Sequence, residues 1–253
     1  MGSNIRQRAE RVFLKVVPKP LQKPIRRSAL KGSIFIDGVR TSIISIGNSL
    51  SMTAQPRFAM VRSVPTTSQV VANYTRGLVL FGRSPAFPAP FVWRSFPFRA
   101  VITQETAKIP RYVRNAQRSS DFKVKFDEDF EDIIRSCQVG RDQSIWITPA
   151  LIDVYREVHR RGFVSTVGVY RDDQLLAGLW GISVGGVFGI MSMFHRENGA
   201  GSLAVGAVIE EVLSADGRWS MIDSGVISPH FRRFGAFEAP QDEFCEIVWQ
   251  TLK

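Results

Sequence analysis

The chain has few cysteines, no long apolar run and, in its first segment, almost no acidic residues. Two cysteines, Cys137 and Cys245, among 253 residues argue against a disulfide scaffold and favour a reducing compartment. Neither has a second Cys or His at metal-ligand spacing, so no metal site is predicted. No apolar run is long enough to span a bilayer, and no stretch has the order of a secretory signal. These absences predict a cytoplasmic protein without a transmembrane segment.

The shortage of acids is confined to the first residues. Residues 1–31 hold nine basic side chains and a single acid, Glu10, so most of the formal net charge of +10 lies there. Apolar residues recur at helical spacing in the first half of this segment, and three prolines then end the pattern. We predict a basic amphipathic arm followed by a linker. Four roles are open: binding of nucleic-acid phosphates, weak contact with a membrane surface, a targeting peptide, or a solvated tail.

The rest of the chain is long enough for an ample core. Residues 32–98 alternate short apolar runs with Gly, Ser and Pro, which predicts a small N-terminal portion that contains β-strands. Residues 99–253 carry stronger periodicities and predict a second, larger domain. The fold class expected for the whole chain is α+β.

A capped helix begins the clearest run of elements. Thr148 is a suitable N-cap, Pro149 suits the first helical position, and Gly162 is a C-terminal stop signal. After it, the pattern predicts a meander of three β-rich runs, at residues 166–170, at residues 175–184 and from Gly185-Gly186 on to Phe194. A second helix over residues 201–213 and a further strand over residues 219–223 follow. Helix, three strands, helix and strand is the order of the acetyltransferase-like fold; another α+β order is the alternative.

The segment Trp146-Ile147-Thr148-Pro149-Ala150, the elements after it and Ser192-Met193-Phe194 together resemble the bacterial leucyl/phenylalanyl-tRNA-protein transferases. The resemblance runs from about Tyr74 to Phe244. It implies an acetyltransferase-like (GNAT-like) domain that moves an amino acid from a charged tRNA to an amine, typically a protein N-terminal Arg or Lys, as in the N-end rule. It also implies aminoacyl-tRNA as co-substrate, an acceptor protein as partner, and no further cofactor.

The resemblance assigns an aminoacyl pocket. The family's G-E-S-M-F signature falls on residues 190–194, so Ser192, Met193 and Phe194 carry over, while the Glu is replaced by Met191. Together with Trp146, these residues are expected to line an apolar cavity, because thioether and aromatic walls accept both leucyl and phenylalanyl side chains. Core packing is the alternative interpretation of both methionines.

The family's second catalytic element, D-C-Q, reads Asp223-Ser224-Gly225 here. The resemblance implies that Asp223 holds the acceptor's α-ammonium and helps to deprotonate it. His195, which adjoins the pocket signature, is a second candidate base. His159 is expected at the surface and His230 in a turn. Because the family's Glu and Gln are missing, a catalytically inactive homologue that binds tRNA or a partner remains an alternative.

Three arginines recur on one face of a helix predicted to begin after Pro110. Arg111, Arg114 and Arg118 lie at spacings of three and four residues. The family has a basic helix in this place for the tRNA acceptor arm, so the resemblance implies that these residues and Arg99 contact phosphates. An ordinary solvated helix face is the alternative.

A short glycine pattern supports a different enzyme. Arg196, Gly199 and Gly201 spell R-x-x-G-x-G between a predicted strand and a predicted helix. The same pattern forms the pyrophosphate loop of acyl-CoA-dependent acetyltransferases, where backbone N–H groups approach phosphate oxygens. The runner-up prediction is therefore an N-acyltransferase that uses acetyl-CoA.

Overall fold

The structure, a computed structural model, describes residues 58–83, 87–119, 121–139 and 146–252. Residues 56–253 cluster as one compact unit. The predicted arm of residues 1–31 lies outside the described residues, as does the first part of the predicted N-terminal portion.

Ten strands and seven helices make up the described part of the chain. The strands are β1 Phe58–Val61, β2 Leu78–Gly82, β3 Phe91–Ser95, β4 Phe98–Thr103, β5 Lys123–Phe126, β6 Val164–Arg171, β7 Gln174–Val184, β8 Val187–His195, β9 Met221–Asp223 and β10 Phe237–Pro240. The helices are α1 Thr67–Tyr74, α2 Arg111–Ser119, α3 Phe130–Gln138, α4 Pro149–Arg160, α5 Ala200–Leu213, α6 Pro229–Arg232 and α7 Gln241–Gln250. The predicted α+β class is confirmed. None of these helices is long and apolar enough to cross a membrane.

The strands form one sheet of three and one of seven. The small sheet has the order β1-β3-β2, and the large sheet has the order β10-β4-β9-β8-β7-β6-β5. Every neighbouring pair is antiparallel except β8 and β9, which run parallel. From α4 to β9 the chain follows the predicted order of helix, three-strand meander, helix and strand. A helix between β8 and β9 is what a parallel pair requires, because the chain must return to the same end of the sheet.

Local signals in the sequence account for the start of this run. The Thr148 side chain accepts a hydrogen bond from the Leu151 N–H over 3.2 Å, and Pro149 occupies the first helical position. Gly162, two residues after α4, has a φ of +80°, a conformation that favours glycine. The predicted capped helix is confirmed.

The strand predicted over residues 219–223 is shorter in the structure. β9 begins at Met221, because Trp219 is used for packing ahead of the strand. Its ring stacks on that of Phe188, with 4.4 Å between the centroids, and its indole N–H donates to the Ser183 Oγ over 2.9 Å. Trp219 therefore anchors the entry to β9.

Two apolar clusters form the core. The first includes side chains of α1, α3, α4 and α7, with Trp180 of β7 among them. The second includes side chains of α2 and α5, with Phe188 of β8 among them. Because neighbouring residues of a strand point to opposite faces of a sheet, side chains along β8 alternate between the two clusters. This alternation decides where the predicted site residues point.

Candidate active site

The two parallel strands β8 and β9 pair over a short distance only. Residues 187–189 pair with residues 221–223, and β9 then ends at Asp223 while β8 continues to His195. Within the described chain, residues 190–195 have no strand beside them on that side. The sheet therefore parts at the carboxyl ends of a parallel pair, which is a common position for a substrate in α/β folds.

Asp223 lies where the strands part, and only 1% of it is exposed. Arg99 of β4 pairs with both carboxylate oxygens: its Nε donates to Oδ1 over 3.1 Å, and its Nη2 donates to Oδ2. The Tyr74 hydroxyl of α1 donates to Oδ2 over 2.9 Å, and the Gly225 backbone N–H donates to Oδ1 over 2.9 Å. Four donors thus hold the carboxylate, which accepts strong hydrogen bonds when it is ionised.

Burial and charge set the protonation of the partners of Asp223. Arg99 is 3% exposed, and its guanidinium carbon lies 4.8 Å from the centre of the Phe244 ring. Burial, the largest single influence, acts to lower the pKa of Arg99, but the charge of Asp223, its hydrogen bond to Arg99 and smaller contributions together raise the pKa. Burial, aided by the charge of Asp223, raises the pKa of Tyr74 well above its ordinary value. At neutral pH, Arg99 is therefore charged and Tyr74 is a hydroxyl donor.

Tyr74 reaches Asp223 because the neighbouring strand residue is a glycine. A Cβ atom on Gly189 would overlap the Tyr74 hydroxyl. Helix α1, which ends at Tyr74, begins with a capping box: the Thr66 side chain accepts from the Gln69 N–H, and the Gln69 side chain accepts from the Thr66 N–H. The sequence-based predictions miss both α1 and Tyr74, although T-x-x-Q is a recognisable capping signal.

The structure places Asp223 and Arg99 together in the core. The prediction places the Asp223 carboxylate against the acceptor ammonium and the Arg99 guanidinium against a phosphate. In the structure both side chains are buried, since each provides the charge that the other needs in the core. Arg99 is therefore not part of an exposed basic face, and the oxygens of Asp223 are already occupied by donors.

A β-bulge in β8 decides the direction of the pocket signature. Trp180 of β7 pairs with Ser192, whereas the next residue of β7, Gly181, pairs with Ile190, so Met191 is an extra residue. Such a bulge shifts the alternation of side chains by one position. Ser192 and Trp180 both carry a buried polar atom, Oγ and Nε1, that has no hydrogen-bond partner among the described residues.

The bulge separates the predicted pocket residues between the two faces of β8. Met191, Phe194 and Trp146 pack against the first cluster, and Met193 packs against the second. Against the second cluster, Met193 packs on the start of α5. Its Cε lies 3.2 Å from the position that a Cβ atom would take on Gly201, so the absence of a side chain there leaves room for the methionine. The residues predicted to line the aminoacyl pocket therefore pack on both faces of β8.

His195 and Arg196 lie at the end of β8 beside a cavity of about 500 Å³. Phe194 and two charged residues of α3, Asp132 and Arg135, also line the cavity. The His195 side chain is exposed. His195 is thus an accessible imidazole on the strand that carries the pocket signature.

The other two histidines have packing roles. The His159 ring stacks on Phe130 with 4.5 Å between the centroids, and burial lowers its pKa, so this residue is less exposed than predicted. His230, in the short helix α6, packs against the rings of Phe231 and Phe234. In the part of the chain that the structure describes, no group of three or more His, Cys, Asp or Glu residues could hold a metal ion.

The R-x-x-G-x-G segment connects β8 to α5, as predicted. Gly199 is the N-cap of α5 and has a φ of +88°. The Arg196 guanidinium donates to the Leu175 carbonyl and, over 2.9 Å, to the Ser136 Oγ, and lies 5.1 Å from the centre of the Phe194 ring. Arg196 therefore ties the end of β8 to β7 and α3.

Helix α2 carries the predicted arginine face. Arg111, Arg114 and Arg118 are all exposed. On the opposite side of the helix, Val113 is 1% exposed and packs against α5. Its Cγ1 lies 2.9 Å from the position that a Cβ atom would take on Gly206, so the glycine allows the two helices to approach closely. The helix thus rests on α5 and presents its arginines to solvent.

Comparisons with known proteins identify the family. The family model described as "Leucyl/phenylalanyl-tRNA protein transferase" matches residues 101–249. A leucyl/phenylalanyl-tRNA--protein transferase of Chlorobium luteolum is 32% identical over 175 residues, which cover 68% of this chain and 89% of the relative. The enzyme of the same name from Proteus mirabilis is 34% identical over 164 residues, which cover 65% of this chain and 70% of the relative. The class of protein is therefore an enzyme, an aminoacyltransferase. Within that class, the chain belongs to the leucyl/phenylalanyl-tRNA-protein transferase family.

Similarity to solved structures is weaker. A GCN5-related N-acetyltransferase from Kribbella flavida has a TM-score of 0.36 and 13% identity, and the match covers 57% of this chain and 54% of that chain. A conserved protein of unknown function from Bacteroides thetaiotaomicron has a TM-score of 0.39 and 12% identity, over 54% of this chain and 53% of that chain. Scores at this level carry no argument about function.

The buried pair makes a prediction about stability. Replacing Arg99 with Met leaves the Asp223 charge in the core without its partner, so we expect the free energy of unfolding to fall by about 3–5 kcal/mol. Arg111→Met makes the same chemical change on an exposed helix face and should alter it by less than about 0.5 kcal/mol. Urea unfolding followed by circular dichroism measures both. Equal losses in the two variants would contradict the importance of the buried pair.

Proposed function

We propose that this chain transfers leucine or phenylalanine from a charged tRNA to the N-terminal amine of an acceptor protein that begins with Arg or Lys. The observation that carries the proposal is that β8, which holds the pocket signature, stops pairing with β9 beside Asp223. Family membership supports the class of reaction. The proposed compartment remains the cytoplasm.

The gap between the strands suits an apolar side chain. Beyond Gly189, β8 no longer pairs with β9, and its side chains pack against both apolar clusters. Met191 packs against the first cluster and Met193 against the second. Two flexible thioethers can repack around either a branched or a planar side chain, which supports acceptance of both leucine and phenylalanine.

The proposed reaction is aminolysis of an ester. The acceptor nitrogen bonds to the ester carbonyl carbon, and the bond from that carbon to the ribose oxygen breaks. The attacking nitrogen loses a proton, and the ribose oxygen gains one. Because an aminoacyl ester is already activated, orientation of the two substrates and removal of the proton supply most of the catalysis.

Asp223 and His195 suit different parts of this task. The oxygens of Asp223 are held by four donors, so its proposed role is to position the Ser224-Gly225 segment at the end of β9. Gly225 has a φ of +78° and open space where a Cβ would lie, which leaves room for the acceptor. His195 is exposed on the neighbouring strand and is the proposed acceptor of the proton.

The function is tested with purified protein and three radiolabelled donors: leucyl-tRNA, phenylalanyl-tRNA and acetyl-CoA. Each is incubated with an acceptor protein bearing N-terminal Arg or Lys, and the same acceptor with an acetylated N-terminus is the control. We expect label from both charged tRNAs on the free N-terminus and none on the acetylated one. Transfer from acetyl-CoA alone would instead establish an N-acyltransferase. Binding of charged tRNA without any transfer would establish an inactive homologue.

His195→Gln tests the proposed base. Glutamine retains polarity but cannot take up the proton, so we expect kcat to fall about tenfold or more while KM for the charged tRNA changes little. His159→Gln is the matched control, because that ring stacks on Phe130 in the core and not beside the strand gap. Steady-state kinetics measures both variants, and a kcat that is unchanged in His195→Gln would assign the proton transfer to another group.

The arginine face of α2 is the proposed binding surface for the tRNA acceptor arm. Replacing Arg111, Arg114 and Arg118 with Ala should reduce the slope of log affinity against log salt concentration by about 0.7–0.9 for each phosphate that the variant no longer binds. Filter binding at several salt concentrations measures the slope. The control removes an equal charge from exposed sites elsewhere, at Arg160, Arg161 and Arg233. Equal slopes in both triple variants would show that the α2 face is an ordinary solvated one.

A further inference from the structure

One face of the small sheet exposes aromatic and sulfur-containing side chains next to arginines. On β1, Phe58 is 58% exposed and Met60 is 68% exposed, and Phe87, between β2 and β3, is 50% exposed. Arg94 of β3 is the register partner of Phe58, and Arg83 directly follows β2. We call these five residues the aromatic–arginine surface.

Arg94 is held over aromatic rings. Its guanidinium carbon lies 5.0 Å from the ring centres of both Phe58 and Phe81, and 5.5 Å from that of Phe96. Its Nε is buried and has no hydrogen-bond partner among the described residues. The side chain therefore has ring contacts on several sides and an unused donor.

Arg83 repeats this arrangement at the edge of the surface. Its guanidinium carbon lies 4.0 Å from the centre of the Phe87 ring, and its Nη1 lies 3.3 Å from the Met60 sulfur. Neither contact supplies a negative charge. The positive charge of Arg83 therefore remains available to a partner.

The surrounding sequence has no carboxylates. From residue 38 to residue 104 the chain contains no Asp or Glu, while Arg62, Arg76, Arg83, Arg94 and Arg99 all lie within the described part of that stretch. Only Arg99 is neutralised there by an ion pair, with Asp223 from outside the stretch. Arginines that are not neutralised by an ion pair attract an anionic partner.

The aromatic–arginine surface leads to the candidate active site through contacting rings. Phe81, which packs under Arg94, lies 4.9 Å from Trp146 between ring centres. Trp146 in turn lies 6.3 Å from Trp180, the register partner of Ser192 in the pocket signature. The aromatic–arginine surface and the pocket signature are thus joined by rings in contact within one apolar cluster.

We propose that the aromatic–arginine surface binds the unpaired nucleotides that precede the aminoacylated 3′ nucleotide of the substrate RNA. Bases stack on aromatic rings and on guanidinium groups, and arginine donors suit the phosphates between the bases. An acidic peptide would use the charges but not the exposed rings. This inference rests on the proposed function, since it names how the same RNA substrate is held.

Two RNA hairpins with the same stem test the proposal, one with a few unpaired nucleotides at its 3′ end and one with a blunt end. Fluorescence anisotropy should show that the protein binds the overhanging hairpin about tenfold or more tightly than the blunt one. The double variant Phe58→Ser/Phe87→Ser should lose most of that preference. Arg83→Gln, which changes a side chain outside the strands, should weaken binding of the overhanging hairpin in the same direction.

The matched control is Phe163→Ser/Trp249→Ser, because those rings are 36% and 41% exposed on other elements. It should retain the preference for the overhang. Equal affinity of the unchanged protein for both hairpins would overturn the proposal, as would a preference that survives in Phe58→Ser/Phe87→Ser. A dimer in solution that this double variant converts to a monomer would also overturn it, in favour of self-association.

The two proposals fail in distinguishable ways. Transfer of label to the acceptor without any preference for the overhang would overturn the RNA-binding surface and leave the proposed function in place. A clear preference for the overhang without transfer of label would overturn the proposed function and retain the surface as an RNA-binding site.

Discussion

The buried ion pair between Arg99 and Asp223 is the constraint on which the arrangement of the site depends. It joins β4 to β9 and, through the Tyr74 hydroxyl, joins both strands to α1. Removing two charges from water is costly, and the cost is offset only when the remaining hydrogen-bonding capacity is used. Asp223 meets that condition with four donors. The end of β9 is therefore held by two other elements, β4 and α1, and by the backbone N–H of Gly225.

The surroundings of the proposed site are largely apolar. Met191 of β8 packs against the first cluster, and Gly225, after β9, carries no side chain. An aminoacyl ester is already activated, so the proposed reaction depends mainly on how the two substrates are oriented.

The two basic surfaces differ in chemistry. Helix α2 offers exposed guanidinium groups at regular spacing, which suits the phosphates of a paired RNA stem without reading its sequence. The aromatic–arginine surface offers rings as well as charges, which suits unpaired bases. The first packs on α5 beside one face of the large sheet, and the second continues through Phe81 and Trp146 into the cluster on the other face. A substrate with a paired stem and an unpaired end could engage both.

Short-range signals in the sequence determined much of the fold. The cap at Thr148, the apolar period of α5, the alternation along the meander and the spacing of Arg111, Arg114 and Arg118 each act over a few residues, and each appears in the structure as predicted. Tertiary structure alone decided the surroundings of the site. Arg99 and Asp223 are 124 residues apart in sequence, and their pairing follows from the order of strands in the sheet. The bulge at Met191 exists only once β7 and β8 are paired, and it moves Met193 to the opposite face. Local patterns specify elements, whereas burial partners and the direction of side chains after a bulge depend on which strands lie together.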